Sequence, residues 1–377
     1  MNAALAIALL SPGWVYLCGA AWAVTRFARS DLPIATEQPA ISILKPLHGA
    51  EPGLYENLRS FAEQDYPARQ IVLGVNDPRD GAIEAARALI REFPGGDVAL
   101  VVDRRSNGSN GKVSNLENML PATRHDILVL ADSDMRVDRR YLGAVAAPLN
   151  DPSIGIVTCL YKAVPTGGIW SELGAMHINF GFLPGAVVGE ALGVGRGCFG
   201  ATIALRRQTL GRIGGFASVR DELADDHRLG DAVRFEGLTV VLSRYLVEAR
   251  VTEPSLVALW RHELRWARTV RGVTPAAYAG SIVAHPLMVA ALAAAVTGFG
   301  LTSCALVAIT YLVRWACARV TAHALGLRTA RAALLPVRDA LSFAVFVASF
   351  FARTVFWRDQ HFRVESSGRM TVDGDEV

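Results

Sequence analysis

Two aspartates separated by one serine, Asp132 and Asp134, follow directly on the apolar run 127–131. In an extended segment, side chains two positions apart point to the same side, so the two carboxylates can act together. Mg²⁺ and Mn²⁺ prefer hard oxygen ligands, commonly one or two carboxylates together with substrate phosphates. The spacing therefore favours a site where a divalent cation, held by Asp132 and Asp134, meets a phosphorylated ligand. An ordinary acidic turn is the alternative.

Two other polar residues lie beside predicted elements of the same region. Asp77 follows the β-branched run 70–75 and precedes Pro78, so it is either a turn residue or a contact to the base or ribose of a nucleotide. Lys112 ends the polar stretch 109–112 before a predicted helix, where a lysine can reach a phosphate as a point charge. Simple solvation is the alternative for Lys112.

A third acidic position, Asp225-Asp226, opens a predicted helix at 226–235. An aspartate at that position ordinarily caps the helix. A carboxylate opposite a leaving group can instead accept the proton of an attacking hydroxyl. Asp226 is the best candidate for such a base.

The segment from His262 to Trp266 combines the cation of Arg265 with an aromatic ring just before a long apolar run. Tryptophans are typical of membrane interfaces, and arginines there extend their head groups toward water. An interfacial helix without catalytic function is therefore the alternative interpretation of this segment.

Composition indicates a membrane protein with a soluble part. The chain has 377 residues, of which 51% are hydrophobic and only 19% charged, so it is too apolar for one ordinary soluble domain. The formal charge of +3 gives no indication of a nucleic-acid partner. The five cysteines lack CxxC spacing and are typical of small core residues in a reducing compartment.

Three apolar regions could cross a bilayer. Residues 1–25 carry no charge and predict an uncleaved amino-terminal anchor. The uncharged run 272–313 is long enough for two antiparallel helices around Gly298 to Gly300. A last stretch, 335–357, contains Arg338 and Asp339, which could pair with each other or face neighbouring helices. Together, 273–357 predicts about three helices.

Basic residues orient these predicted spans. Arg26 and Arg29 follow the anchor, and four arginines between 261 and 271 precede the second apolar run. Further arginines at 319, 328 and 331 fall between the third and fourth spans. Because basic loops remain on the cytosolic side, the middle of the chain is predicted to be cytosolic and both termini to lie outside.

The middle of the chain, 38–270, predicts an α/β domain with a mostly parallel sheet, because short β-branched runs alternate with amphipathic helical patterns. Polar residues that follow strands of such a sheet are expected at its ligand-binding edge. The polar tail 366–377 is predicted to be disordered. The predicted strands are 41–44, 70–75, 98–102 and 127–131, and the predicted helices are 80–92 and 113–121.

Taken in order, Asp77, Asp132-Ser133-Asp134, Asp226 and His262-x-x-Arg265-Trp266 resemble the D, D, D, (Q/R)xxRW signature of the ceramide glucosyltransferase family. The resemblance covers nearly the whole chain and implies a GT-A fold.

Each motif position then has an implied role. Asp77 would contact the nucleotide, Asp132 and Asp134 would serve the metal and the diphosphate, and Asp226 would be the catalytic base. Arg265 and Trp266 would close over the diphosphate and the acceptor mouth.

Two histidines are less closely tied to the family pattern. His262 stands where the family usually has Gln or Arg, which leaves the role of that position open. His177, before the apolar segment 182–194, is expected to line the acceptor entrance.

The segments 45–49 and 260–269 look closest to the hopanoid-biosynthesis branch of this family. The resemblance implies inverting transfer of glucose or N-acetylglucosamine from a UDP-sugar to a lipid hydroxyl, on a hopanoid polyol or ceramide, at the cytosolic face of the bacterial inner membrane. A processive polysaccharide synthase is an alternative, but it usually needs more spans. An inactive membrane protein that binds a nucleotide is the other.

Overall fold

The computed structural model describes residues 3–32, 37–195, 197–327 and 331–351, and the strand segments 354–357, 360–364 and 370–372. The larger part is a sheet with helices on both faces, and apolar helices flank it in sequence. The strands are β1 (Ile41–Pro46), β2 (Arg69–Val75), β3 (Val98–Val102), β4 (Ile127–Leu130), β5 (Met135–Arg136), β6 (Ile154–Pro165), β7 (Ile203–Arg206), β8 (Thr239–Val251), β9 (Thr354–Trp357), β10 (Gln360–Val364) and β11 (Met370–Val372).

The helices of the amino-terminal segment and the sheet domain are α1 (Ala3–Ala28), α2 (Leu54–Ala62), α3 (Ala82–Glu92), α4 (Gly111–Met119), α5 (Tyr141–Ala146), α6 (Gly168–His177), α7 (Leu183–Ala191), α8 (Arg207–Arg212) and α9 (Asp225–Phe235). A π-helical turn, Ile178–Phe182, joins α6 to α7. The later helices are α10 (Leu256–Val273), α11 (Pro275–Gly280), α12 (Pro286–Val296), α13 (Leu301–Ala324) and α14 (Leu335–Ala348).

The main sheet has eight strands in the order β3-β2-β1-β4-β7-β6-β8-β5. The first four of these are parallel, as predicted. The other half is mixed, because β7 is antiparallel to both β4 and β6, and β5 is antiparallel to β8. Strands β6 and β8 are long, and their parallel pairing contains register shifts, one of them between Cys159 and Tyr161. Such irregularities bend a strand and change where its side chains point.

The elements predicted around the acidic motifs are confirmed. Strands β1 to β4 and helices α3, α4 and α9 lie within one or two residues of the predicted bounds. The strands β1, β2 and β4 are buried nearly throughout, which is why their sequences are continuous apolar runs.

Apolar helices lie in each region predicted to contain a span. Within the described ranges, three helices, Ala4–Ala28, Leu301–Ala324 and Ala332–Phe351, are long and apolar enough to cross a membrane. The segments Pro275–Ala284 and Pro286–Val296 are bent by 69° and together form a fourth span or a re-entrant pair. Pro286 explains the break, because proline cannot donate the backbone hydrogen bond that would continue the helix.

The boundaries of the terminal segments also differ from the prediction. The amino-terminal helix continues to Ala28 rather than ending near residue 25. The last apolar helical stretch ends at Phe351, and Thr354–Trp357 is a strand instead of the end of a span. Of the predicted disordered tail, 366–369 and 373–377 lie outside the described residues, whereas Met370–Val372 is a strand paired with β10.

The two charges within the last apolar helix face neighbouring helices and not each other. Arg338 makes an ion pair with Glu263 of α10. Asp339 pairs with Arg314 of α13 at 3.0 Å. Helix α1 joins the same group of helices, since Trp14 Nε1 donates a hydrogen bond to Thr310 Oγ1.

Candidate active site

A lysine and three aspartates converge where β4, α4 and α9 meet. Lys112 lies in the first turn of α4, which Asn110 caps by accepting from the Lys112 and Val113 amides. Its Nζ is 2.6 Å from Asp132 Oδ1 and 3.8 Å from Asp225 Oδ2. Burial opposes the charge of Lys112, but the neighbouring carboxylates outweigh it and raise the pKa of this ammonium above its ordinary value. Lys112 therefore remains a fixed cation.

Asp226, the predicted base, is held at both carboxylate oxygens. Its Oδ2 accepts from the Gly200 amide at 2.9 Å and its Oδ1 from the His227 amide at 2.7 Å. Burial raises the pKa of Asp226, although Lys112 and the two amides act against that rise. Burial also raises the pKa of Asp225 to about 6. A carboxylate with a raised pKa accepts a proton more readily than one in water.

Gly200 lies in the middle of this charged cluster, and the sequence analysis missed it. A Cβ at this position would lie 3.1 Å from Lys112 Nζ, 3.2 Å from Asp132 Oδ2 and 3.4 Å from Asp226 Oδ2. A side chain at this position would therefore crowd the ends of the three charged side chains, which glycine avoids. The signal was present in the sequence as the closely spaced glycines 195, 197 and 200.

Asp134 belongs to a second group of charges on the same loop. Ser133 Oγ donates to Glu51 Oε2 at 2.9 Å, and Lys45 Nζ donates to the carbonyl of Asp132. Burial, together with the charges of Asp132 and Glu51, raises the pKa of Asp134 to about 7. Burial also lowers the pKa of Lys45, whose Nζ is 3.8 Å from the centre of the Phe61 ring, to about 7. Lys45 and Glu51 are further residues that motif spacing did not reveal.

The donor set of Asp132 and Asp134 fits a divalent cation that takes its other ligands from a phosphate. Burial, with a smaller contribution from the charges of Asp132 and Glu51, raises the pKa of Asp134, and a bound cation would favour the ionised carboxylate. Among the described residues, no three His, Cys, Asp or Glu side chains form a metal site by themselves. A magnesium-type site commonly takes one or two carboxylates and completes its coordination with substrate oxygens and water.

Asp77 lies at the end of β2 but not within the charged cluster. Its Oδ1 accepts from the Arg79 amide at 2.9 Å, so it occupies a turn, and this hydrogen bond lowers its pKa. The adjacent Asn76 points inward, and its Nδ2 donates to the Gly111 carbonyl at 3.0 Å. The Asn76 Oδ1 is buried without a hydrogen-bond partner. The nucleotide contact predicted for Asp77 stays a prediction.

Helix α10 brings an aromatic group to the other side of the site. The rings of His262 and Trp266 have centroids 4.3 Å apart, and His262 Nδ1 is 2.6 Å from Glu253 Oε1. Trp266 also contacts Tyr161 and Phe182, each with a centroid separation of 6.5 Å. These rings form a wall between α10 and strand β6.

The aromatic wall reaches the charged cluster through two residues. Phe182 packs edge-on against Phe199 at 5.7 Å, and Phe199 precedes Gly200 in the chain. Tyr161 stacks on Phe182 at 5.1 Å and lies beside the register shift in β6. Burial raises the pKa of Tyr161, and the charges of Asp134 and Asp226 add to that rise. Tyr161 was not found from the sequence.

Arg265 and His177 occupy the boundary between the sheet domain and the apolar helices. The positive charge of Arg265 lowers the pKa of Tyr161 and so partly offsets the effect of the carboxylates. His177 ends α6, where burial lowers its pKa and its Nδ1 lies 3.5 Å from Ser342 Oγ of α14. The structure therefore connects His177 to the apolar helices, and its role at an acceptor entrance stays a prediction.

The fold and the charged site define a glycosyltransferase of the GT-A class, the class that uses nucleotide-sugar donors. The family model described as "Glycosyl transferase family 21" matches residues 5–370, so this chain belongs to that family. The resemblance to ceramide glucosyltransferases is confirmed.

Known relatives agree with this assignment. The chain is 21% identical to Ceramide glucosyltransferase 1 of Caenorhabditis elegans, covering 88% of this chain and 73% of the relative. It is 34% identical to the Ceramide glucosyltransferase of Komagataella phaffii over 29% of this chain and 22% of that relative. A solved mannosyltransferase from Pyrobaculum calidifontis, in complex with GDP-Man and Mn²⁺, matches with a TM-score of 0.58 at 21% identity, covering 93% of this chain and 99% of that one. This last likeness establishes the fold.

Proposed function

We propose that this enzyme transfers glucose or N-acetylglucosamine from a UDP-sugar to a hydroxyl of a membrane lipid, with inversion at the anomeric carbon. The acceptor is a hopanoid polyol or ceramide, and the reaction takes place at the cytosolic face of a bacterial inner membrane. One observation carries the proposal: the cluster of Lys112, Asp132 and Asp226 adjoins aromatic rings on α10, which itself contacts the apolar helix α14.

The donor side supplies positive charge for a diphosphate. Asp132 and Asp134 would hold Mg²⁺ or Mn²⁺, which stabilises the negative charge that develops on the leaving diphosphate. Lys112 binds the same group as a second, fixed cation. Asp77 at the end of β2 contacts the nucleoside, as the family motif implies.

Asp226 acts as the base. The lipid hydroxyl gives its proton to the Asp226 carboxylate as its oxygen bonds to the anomeric carbon, and the bond to the diphosphate breaks on the opposite side. The two backbone amides fix the carboxylate, so little reorganisation is needed when the hydroxyl arrives. One displacement at this carbon inverts its configuration.

The acceptor side explains why a soluble fold is combined with apolar helices. A lipid needs only to move sideways in the bilayer if its head group can reach the aromatic wall from between the spans. Helix α7, in the apolar segment after His177, packs with α1 in a shared apolar cluster. Arg265, Trp266 and His262 on α10 then cover the diphosphate and the acceptor mouth, and His177 lines the way in.

A lipid-product assay tests the proposal. Purified enzyme is incubated with Mn²⁺ or Mg²⁺, a mixed bacterial lipid extract with added ceramide, and one of UDP-glucose, UDP-N-acetylglucosamine or GDP-mannose. Mass spectrometry then identifies sugar-bearing lipids. We expect one monoglycosylated lipid with a UDP-sugar, and its loss in Asp226→Asn and Asp132→Ala.

Other outcomes contradict the proposal in distinct ways. A polymeric product would favour a processive synthase, although the described residues contain only three helices that are long and apolar enough to span, and one bent pair. A product formed only with GDP-mannose would contradict the proposed UDP-sugar donor. No product with any donor, together with tight UDP binding, would favour an inactive nucleotide-binding protein.

A further inference from the structure

A fully buried ion pair joins the motif helix α10 to the apolar helix α14. Arg338 is 1% exposed and Glu263 is 4% exposed, and Arg338 is the largest fully buried side chain in the part of the chain that the structure describes. The guanidinium contacts both carboxylate oxygens, Nη1 to Oε1 at 2.7 Å and Nη2 to Oε2 at 2.7 Å. This is the two-bond geometry that fixes the relative orientation of both groups.

The same guanidinium also connects α6. Nη1 of Arg338 donates to the carbonyl of Leu173 at 3.1 Å, and its Nε donates to Ser342 Oγ at 3.1 Å. A buried ion pair is weak evidence for stability, because apolar side chains of similar volume often serve as well. Because Arg338 in α14 contacts both α6 and α10, we infer instead that the pair fixes the orientation of these three helices relative to one another.

Glu263 is well placed to control the orientation of the final motif. It lies one residue after His262 and three residues before Trp266, within the same turn of α10. Rotation of α10 about its axis would move Trp266 away from Phe182 and Tyr161, which it now contacts. Anchoring Glu263 prevents that rotation.

We propose that Glu263 and Arg338 are a positioning pair, which sets the rotation of α10 so that Arg265 and Trp266 cover the reacting groups. The inference rests on the proposed function, because it assigns the pair to the acceptor side of that reaction. Neither residue touches the sugar or the diphosphate; both act through α10.

The neighbouring ion pair provides a matched comparison. Asp339, next to Arg338 in sequence, pairs with Arg314 through Nη2 to Oδ1 at 3.0 Å. This pair is also buried, and it connects α13 to α14. It has the same chemistry and lies in the same helix, but it does not hold α10.

The experiment compares two double variants, E263L/R338M and R314M/D339L, in detergent-purified full-length enzyme. Each removes both charges of one pair, so no unpaired charge is left buried. We measure the melting temperature, the Kd for UDP, and kcat and KM for the lipid product. E263L/R338M is expected to retain the UDP Kd within about twofold and to lose about 10- to 100-fold in kcat, since small displacements of covering groups cost this much. R314M/D339L is expected to retain most of the wild-type kcat, because it leaves the Glu263–Arg338 pair and its hold on α10 intact.

A single variant keeps the test decisive if a double variant fails to fold. Arg338→Lys retains the charge but cannot contact both oxygens with a rigid fork, so its kcat should fall below that of wild type while the Kd for UDP is retained. Equal kcat losses in the two double variants, or wild-type kcat in E263L/R338M, would overturn this inference alone. Where that double variant does not fold, wild-type kcat in Arg338→Lys would overturn it. A wild-type enzyme that makes no glycolipid would overturn the proposed function as well.

Discussion

The donor side and the acceptor side of the site are built by different means. On the donor side, charged side chains at the ends of strands and the starts of helices contact one another and backbone amides. On the acceptor side, rings and an ion pair join helices that are far apart in sequence, such as Glu263 and Arg338, 75 residues apart. The donor side therefore depends on local chain geometry, whereas the acceptor side depends on how the helices pack.

Asp226→Asn should have the largest effect, because it removes the base and keeps the shape of the side chain. We expect the kcat for lipid glycosylation to fall about 100- to 10,000-fold, the usual contribution of a positioned base. The Kd for UDP, measured by calorimetry, should change little.

The control is Asp231→Asn in the same helix, where Asp231 pairs with His227 and Arg234 on the outer side of α9. It should retain most of the activity. If Asp226→Asn kept more than a tenth of wild-type kcat, another group would have to accept the proton, and Asp225 would be examined next.

Lys112→Met tests the donor side by itself. Hydrogen bonds to charged groups contribute about 1.5–3 kcal/mol, so the Kd for the UDP-sugar should rise about 10- to 100-fold. The KM for the lipid should change much less, because Lys112 contacts Asp132 and Asp225 and not the aromatic wall. Lys162→Met is the control, since Lys162 pairs with Glu248 elsewhere on the sheet. An equal rise in the Kd for the UDP-sugar and in the KM for the lipid would argue against separate donor and acceptor sides of the site.

This contrast also explains which parts could be predicted from the sequence. Asp132, Lys112 and Asp226 each stand directly after a buried strand or at a helix start, and both positions leave a local pattern. The parallel half of the sheet was predictable for the same reason, because its strands are continuous apolar runs.

The other features of the site depend on contacts between residues far apart in the chain, and such contacts leave no local sequence pattern. Nothing in the spacing of Arg338 indicates that it pairs with Glu263 and the Leu173 carbonyl, 165 residues away. The register shift that places Tyr161 in the site follows from the pairing of β6 with β8, which are far apart in the chain. Asp77 shows the converse, since it matches the motif but lies in an exposed turn with Arg79.

Trp266→Leu tests the acceptor side, with a smaller expected effect. Aromatic contacts contribute about 0.5–1.5 kcal/mol beyond the area they bury, so the KM for the lipid should rise about 2- to 10-fold. The UDP Kd should rise less than the lipid KM, because Lys112 still binds the diphosphate and Arg265 still covers it. Trp260→Leu, on the same helix, is the control and should alter the lipid KM less. A rise in the UDP Kd that equals the rise in KM would mean that Trp266 mainly covers the diphosphate.

The smallest effect is expected for His262→Gln, which restores the residue that commonly opens this motif in ceramide glucosyltransferases. The pair between His262 and Glu253 is partly exposed, at 35% and 12%, and such pairs contribute about 0–1 kcal/mol. A glutamine amide can still donate to Glu253, so kcat and lipid KM should each stay within about threefold, the range of a weak pair.

A loss of kcat beyond about tenfold, or about 1.4 kcal/mol, would exceed what this pair can contribute. It would mean that the imidazole has a role which an amide cannot replace. Glu253→Gln separates the remaining possibilities, because it weakens the pair and leaves the imidazole in place. If Glu253→Gln keeps activity near wild type while His262→Gln loses most of it, His262 contacts the acceptor directly. The acceptor side would then take part in the chemistry as well as packing against the acceptor.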